Sequence, residues 1–207
     1  MQILAILGAS GHGKVIAEAA LLSGEWADVV FFDDAYPSLK KVESWSVVGN
    51  TQDLIDQPDT YSGVVIAIGN NETRVSKQAE LLQHRCNIVS IIHPSAIVSP
   101  SAIILPGSVV LAGAIINPFC KIGEACILNT GATIDHDCQL SSGVHISPGV
   151  NLAGGVLVGR ASWLGIGSCV KQLVSIGENV IVGAGAAVIK DTPNNCTLVG
   201  VPAKAIQ

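Results

Sequence analysis

The chain has 207 residues, enough for two small domains, with 13% charged and 4% aromatic residues and 22 glycines. A net charge of −5 without any Lys/Arg cluster excludes a nucleic-acid surface. Mean hydropathy is +0.51, yet no stretch of about 18 uninterrupted apolar residues exists to span a membrane.

The opening MQILAILGASGHGK lacks a basic region ahead of its apolar run and soon turns glycine-rich. It reads as a first strand (residues 2–8) and not as a secretory leader, so the expected address is the cytoplasm. A glycine turn comes next, Gly8-Ala9-Ser10-Gly11-His12-Gly13-Lys14, and VIAEAALLSG then predicts a helix ending at Gly24. DVVFFDD (28–34) is a second strand closing on Asp33 and Asp34. Residues 35–63 form a mixed connection with a short helix near TQDLID. GVVIAIGN (63–70) is a third strand, NETRVSKQAELLQHR a helix, and NIVSII a fourth strand that runs toward His93-Pro94. Alternating strands and helices define a parallel α/β, Rossmann-like domain over 1–91.

The glycine turn stands at the first strand-to-helix crossing, where such sheets bind phosphates against free N–H groups at a helix N-terminus. Its spacing is G-x-x-G-x-G, not the G-x-G-x-x-G of dinucleotide sites. Asp33 and Asp34 stand at the end of the second strand, where a carboxylate accepts from a ribose hydroxyl or a base N–H. Nucleotide binding is the expected use of the turn. Tight packing alone is the alternative.

From Ile92 the chain counts in sixes to Val188, and every sixth residue is Ile, Leu or Val without an insertion. Four residues after each stop sits a small or β-branched residue, among them Ala114, Cys120, Cys126, Cys138 and Val144. Six residues at 100° each do not close whole helical turns, and a flat strand would need period two. The pattern predicts a parallel β-helix built of hexapeptides over 92–207, with aliphatics pointing into a prism. Gly123, Gly159, Gly165, Gly177 and Gly183 directly follow an aliphatic, where a corner is expected to need positive φ. The six cysteines form no CxxC pair, and Cys120, Cys126 and Cys138 fall in the small inward slot, so reduced core thiols are expected.

Asn129-Thr-Gly-Ala-Thr-Ile-Asp135-His136-Asp137-Cys138 is the polar constellation of the prism. His136 falls two places after Ile134, on an outer face or corner, between two carboxylates that orient an imidazole and raise its proton affinity. With only His136 and His145 in the central coils, no metal centre is expected. Downstream, Gly154-Gly155, Gly165-Ile166-Gly167 and Gly183-Ala184-Gly185 read either as small corner residues or as a smooth groove for an extended pantetheine arm.

GASGHG, FFDD, AIGNNE, NTGATIDHDC and GVPAK occur in this order over the whole chain, which resembles bacterial nucleotide-sugar N-acetyltransferases. These are the UDP-4-amino-sugar acetyltransferases of bacillosamine and glycan biosynthesis, within the NeuD-like hexapeptide-repeat family. The resemblance implies a left-handed β-helix, three hexads to a coil, so that Cys120 lies over Cys138. It implies a homotrimer with active sites between neighbouring prisms. His136 then resembles the general base, Asp137 the acid that raises its basicity, and Asn129 a lining residue. His145, Gly154, Ile166 and Ala184 resemble contacts to acetyl-CoA, while Ser10, Gly11, His12, Asp33, Asp34 and Gly69 resemble contacts to the UDP-sugar. Outward apolar residues such as Ile115, Ile127, Leu157 and Trp163 are expected to meet a partner copy. The expected reaction is direct acetyl transfer from acetyl-CoA to the 4-amino group of a UDP-linked amino-dideoxy sugar. A sialic acid hydroxyl or a GDP-linked amino sugar is the alternative acceptor, and a non-catalytic nucleotide-binding scaffold a third reading.

Overall fold

The computed structural model describes residues 2–206. Its first part runs β1 (Ile3–Leu7), α1 (Gly11–Ser23), β2 (Asp28–Phe32), β3 (Lys41–Val42), β4 (Trp45–Gly49), α2 (Thr51–Ile55), β5 (Gly63–Ile66) and α3 (Asn71–Gln83). The sheet order is β3-β4-β2-β1-β5, parallel except for the β3–β4 hairpin. β1 and β5 are continuous apolar runs because helices cover both faces of the sheet.

Three local expectations are corrected. α1 begins at Gly11, not Val15, so half of the glycine turn is already helix. Gly13 is required there because a Cβ would stand 2.3 Å from the Gly8 carbonyl oxygen and 2.8 Å from the Phe31 ring. The fourth long strand is β4, hidden in the connection expected to be mixed. The run Asn87–Ile92 instead splits: Ile88 makes one bridge to Val64, and Ile91–Ile92 already belongs to the prism.

Among the described residues, seventeen two-residue strands build the prism, β6 at Ile91–Ile92 and each later one six residues on, to β22 at Ala187–Val188. They stack in three parallel sheets with partners 18 residues apart, as in Ile115↔Thr133↔Asn151. The first face carries β6, β9, β12, β15, β18 and β21, the second β7 through β22, and the third β8 through β20. Both inward positions are buried from Val110 onward, and the small slot holds Ala114, Cys120, Cys126, Cys138 and Val144 as expected. Cys120 does lie beneath Cys138, each thiol directed to a carbonyl of the neighbouring coil (Asp135, 3.0 Å; Ala153, 3.3 Å).

The prism is a left-handed β-helix, and its corners depart from expectation in an informative way. Every corner from Gly107 to Gly185 turns on the third residue after the aliphatic, with φ between 53° and 77°. At six corners that residue is not glycine: Phe119, Ala125, Asp137, Ala161, Leu173 and Asn179. The glycines directly after the aliphatic are needed for a different reason. A Cβ on Gly123 or Gly159 would lie 2.5–2.6 Å from backbone of the next coil.

The α/β domain sits on the first face. Ile91, Val109 and Leu111 join the core of Leu4, Ile6 and Ile16, and Ile127 is 0% exposed. Ile127 is therefore covered within its own chain, contrary to the expectation of a partner. α3 crosses the corner between the third and first faces. There Val75 occupies the space a side chain on Gly143 would need, 2.5 Å from its would-be Cβ. Asn71 donates to the carbonyls of Ala161 (2.9 Å) and Ser162 (3.3 Å), and Glu72 pairs with both terminal nitrogens of Arg160 (2.6 and 2.8 Å).

Candidate active site

Two chemically distinct pieces emerge. The first is a cavity of about 500 Å³ where the domains meet, with Gly69, Asn70, Asn71 and Glu72 on one wall and His145, Ala161, Trp163, Asn179 and Ile181 on the other. Gly69 and Asn70 sit at the mouth of α3, Asn70 capping it by accepting from Thr73 N–H (2.9 Å). His145 projects outward from β15 because it is the residue before the inward Ile146, and its ring stacks on Trp163 from β18 at 5.7 Å and 10°. Trp163 is in turn fixed by its Nε1–H donating to Ser147 Oγ (2.8 Å). Trp163 thus lines its own chain's cavity, while Leu157 stays exposed and Ile115 half-buried.

Burial and the nearby Arg74 guanidinium hold two histidine rings in the neutral form. Desolvation, then Arg74, lowers His12 to about 4. Desolvation, Arg74 and His12 lower His145 to about 3. The Nε2 atoms of both are buried without a hydrogen-bond partner, and a buried polar atom in that state calls for a partner from outside the chain, a water or a ligand. Ser10 caps α1 without a side-chain bond of its own, so the first N–H groups of that helix are left without a capping side chain.

The second piece is the corner between β13 (Thr133–Ile134) and β14 (Gln139–Leu140). His136 Nδ1 lies 2.8 Å from Asp137 Oδ2. A carboxylate only accepts, so Nδ1 carries the proton and Nε2 the free lone pair. The Asp137 bond first, then the charge of Asp135, raises the histidine above its ordinary value. Asp137 is the αL residue of its corner (φ 62°), a conformation aspartate tolerates better than most residues. Asp135 Oδ1 accepts from both His136 N–H (2.8 Å) and Asn117 Nδ2 (2.9 Å), pinning the backbone beneath the ring. Gly154, one coil on, is buried under the imidazole: a Cβ there would be 2.5 Å from Nε2.

Within one chain His136 does not reach the cavity; it occupies a different corner of the prism. Asn129, Ile166 and Ala184 lie on a third line, the corner between the first and second faces. Asn129 Oδ1 there accepts from Thr130 N–H (2.9 Å), and Ile166 and Ala184 are exposed. Asp33 is engaged internally, accepting from Ala9 N–H (2.8 Å) and Ala35 N–H (2.9 Å), so it tethers the glycine turn. Asp34 accepts from Thr51 N–H (3.0 Å), and its contacts with Thr51 lower its carboxyl. Sequence reading missed Arg74, Asn71, Glu72, Trp163 and Asn179. Asn-Asn-Glu-x-Arg shortly after β5 was the available signal for the first three.

A Rossmann-type domain seated on a left-handed hexapeptide prism, with a carboxylate-held histidine on a corner, is acyltransferase architecture. The family model of the PglD N-terminal domain matches residues 3–81. The acetyltransferase domain of PglB from Neisseria gonorrhoeae FA1090, solved with acetyl coenzyme A, is 40% identical over 99% of both chains with a TM-score of 0.95. A mutant of perosamine N-acetyltransferase from Caulobacter crescentus, solved with CoA and GDP-perosamine, is 38% identical over 99% of this chain and 96% of that one (TM-score 0.93). UDP-N-acetylbacillosamine N-acetyltransferase of Bacillus subtilis (strain 168) is 39% identical over 102 residues, 47% of this chain. The chain spans less than half the length of the curated relatives it matches, 45% of that enzyme and 18% of a Synechococcus elongatus serine acetyltransferase. The chain belongs to the nucleotide-sugar N-acetyltransferase family.

Proposed function

We propose that the protein transfers the acetyl group of acetyl-CoA to the 4-amino group of a UDP-linked amino-dideoxy sugar in the cytoplasm, as a step toward a bacterial glycan. The observation that carries this is His136: its Nδ1–H is held by Asp137 and its Nε2 lone pair is free above Gly154. The whole-chain likeness to an acetyltransferase domain solved with acetyl-CoA supports the donor. In the reaction the sugar nitrogen attacks the thioester carbonyl carbon while His136 Nε2 takes a proton from that nitrogen. The tetrahedral oxyanion then collapses, the C–S bond breaks, and the imidazolium returns the proton to the departing CoA sulfur. The amide and free CoA are the products.

The nucleotide sugar is assigned to the junction cavity and the glycine turn: Ser10, Gly11, His12 and Gly69 as contacts, with Asp33 and Asp34 shaping the turn. CoA is assigned to the prism surface at Ile166 and Ala184, with Gly154 leaving space for the base and Asn129 lining the pocket. His145, which the resemblance set against CoA, lines the junction cavity and is assigned to the sugar nucleotide. Because His136 and the cavity occupy different corners of one prism, the site is completed between copies in a homotrimer. Phe119 (66% exposed) and Leu173 (77% exposed), on the same corner line as His136, support a covering neighbour. A GDP-linked amino sugar is the second reading, favoured by the whole-chain likeness to perosamine N-acetyltransferase. Incubating the protein with acetyl-CoA and paired UDP- and GDP-linked 4-amino sugars, with mass detection of the N-acetyl product, tests both. Acetylation of neither sugar overturns them.

A further inference from the structure

Arg74 lies outside every motif tied to the chemistry, yet it is the most unusual side chain in the molecule. It is 1% exposed, and among the described residues no carboxylate pairs with it. Its guanidinium makes five hydrogen bonds instead. On the α/β side it donates to the carbonyls of Ile68 (2.9 Å) and Gly69 (3.2 Å) and to Asn71 Oδ1 (2.9 Å). On the prism side it donates to the carbonyls of Ala125 (2.8 Å) and Gly143 (2.9 Å). A buried charge without a counter-ion is costly, and a neutral residue could have filled a purely structural joint. The five acceptors show what the charge joins: the Gly69–Asn71 rim of the cavity and two stacked prism corners, Ala125 leading into β12 and Gly143 leading into β15, which presents His145.

Resting on the acetyl-transfer reading, we propose that Arg74 is a positioning residue that clamps the Gly69–Asn71 rim of the cavity to the prism beside His145. Its charge acts at the same place, holding the His145 ring as a neutral hydrogen-bonding group toward the substrate. Three charged or titratable groups bear on the His145 side of the cavity. Arg74 and His12 disfavour the imidazolium, while Glu72 would favour it but is held by Arg160. Burial adds to the first two, and His145 falls to about 3. Neutral, the ring offers one N–H and one lone pair. Protonated, it would offer two donors and repel an incoming ammonium.

Histidine ring NMR of the wild-type protein between pH 8 and 5 tests the electrostatic half without any substitution. The His145 signals are expected to stay those of a neutral ring throughout, and a midpoint above about 6 overturns the proposal. Arg74→Lys and Arg74→Met separate charge from clamping. Lysine keeps the charge but has three N–H donors for five acceptors, so His145 remains neutral while KM for the sugar nucleotide rises about tenfold. In Arg74→Met the His145 midpoint moves upward and kcat acquires a new acid limb. Wild-type KM, kcat and pH profile in a folded Arg74→Lys protein would refute the clamp, and an unmoved His145 in Arg74→Met the electrostatics. Should no sugar nucleotide be acetylated by the wild type, the NMR arm still decides the charge state of His145, so the two failures are told apart.

Discussion

At the scale of single residues, His136 owes its properties to three neighbours that the corner geometry brings in. Asp137 orients Nδ1, Asp135 holds the backbone, and Gly154 vacates the space under Nε2. His136→Ala is expected to lower kcat by about 10²–10⁴, the usual worth of a positioned base, with little change in acetyl-CoA binding measured by calorimetry. A base works only when deprotonated, so activity falls as pH drops through the His136 value, which Asp137 first and Asp135 next raise from its ordinary one. Asp137→Asn removes the largest cause of that rise. The acid limb of the kcat/KM profile should therefore move to lower pH, with a kcat loss smaller than that of His136→Ala. Gly154→Ala pushes the ring off its seat, and kcat should fall while the melting temperature hardly moves.

At the scale of elements, the hexad beat was legible because each coil repeats the same demand: one large aliphatic and one small residue inward, every six positions. The corners were not legible, because the αL position is filled by Phe119, Asp137 and Leu173 as well as by glycine, and composition does not mark it. The glycines that were visible, such as Gly123 and Gly159, serve close approach between coils. The α/β domain's seat on the first face was hidden for a related reason. Ile127 and Val109 look like any outward residue of a hexad, and only the packing of α1 and β1 against the prism shows which face is covered. His136, Asp135 and Asp137 stood out as a charged cluster in an apolar repeat. Arg74 did not, since its partners are backbone carbonyls scattered from Ile68 to Gly143. The joint itself makes a prediction. Gly143→Ala strains a residue at φ 74° and collides with Val75, which should cost about 2–4 kcal/mol. Thermal unfolding should register it as a lower melting temperature. Asp33→Ala leaves Ala9 N–H without its acceptor and loosens the glycine turn. KM for the sugar nucleotide should rise while that for acetyl-CoA stays, and equal weakening of both would make the α/β domain a scaffold only.

At the scale of the whole molecule, two half-buried neutral histidines at the domain junction set an acid limit. His12 at about 4 and His145 at about 3 lie below the unfolded value of 6.5. The unfolded chain therefore binds more protons as pH falls below 6.5, and stability decreases from there toward pH 4. Melting temperatures across this window should decline, and less steeply in His12→Asn, which removes one of the two groups. Assembly and activity should also be lost together. Sedimentation at micromolar concentration is expected to give about three times the 21.3 kDa chain mass, and a fully active monomer would refute a site shared between copies.

Whether this histidine corner moves an acetyl group onto a sugar nitrogen is open to direct measurement. The protein and its His136→Ala variant are each mixed with acetyl-CoA and a panel of UDP- and GDP-linked 4-amino sugars, with the N-acetyl product followed by mass and free CoA by chromatography. Stoichiometric amide and CoA from at least one sugar nucleotide with the wild type, and a rate lower by about 10²–10⁴ with the variant, is the predicted result. Acetylation at the wild-type rate without His136, or acetyl-CoA binding with no amino sugar acetylated, would contradict it.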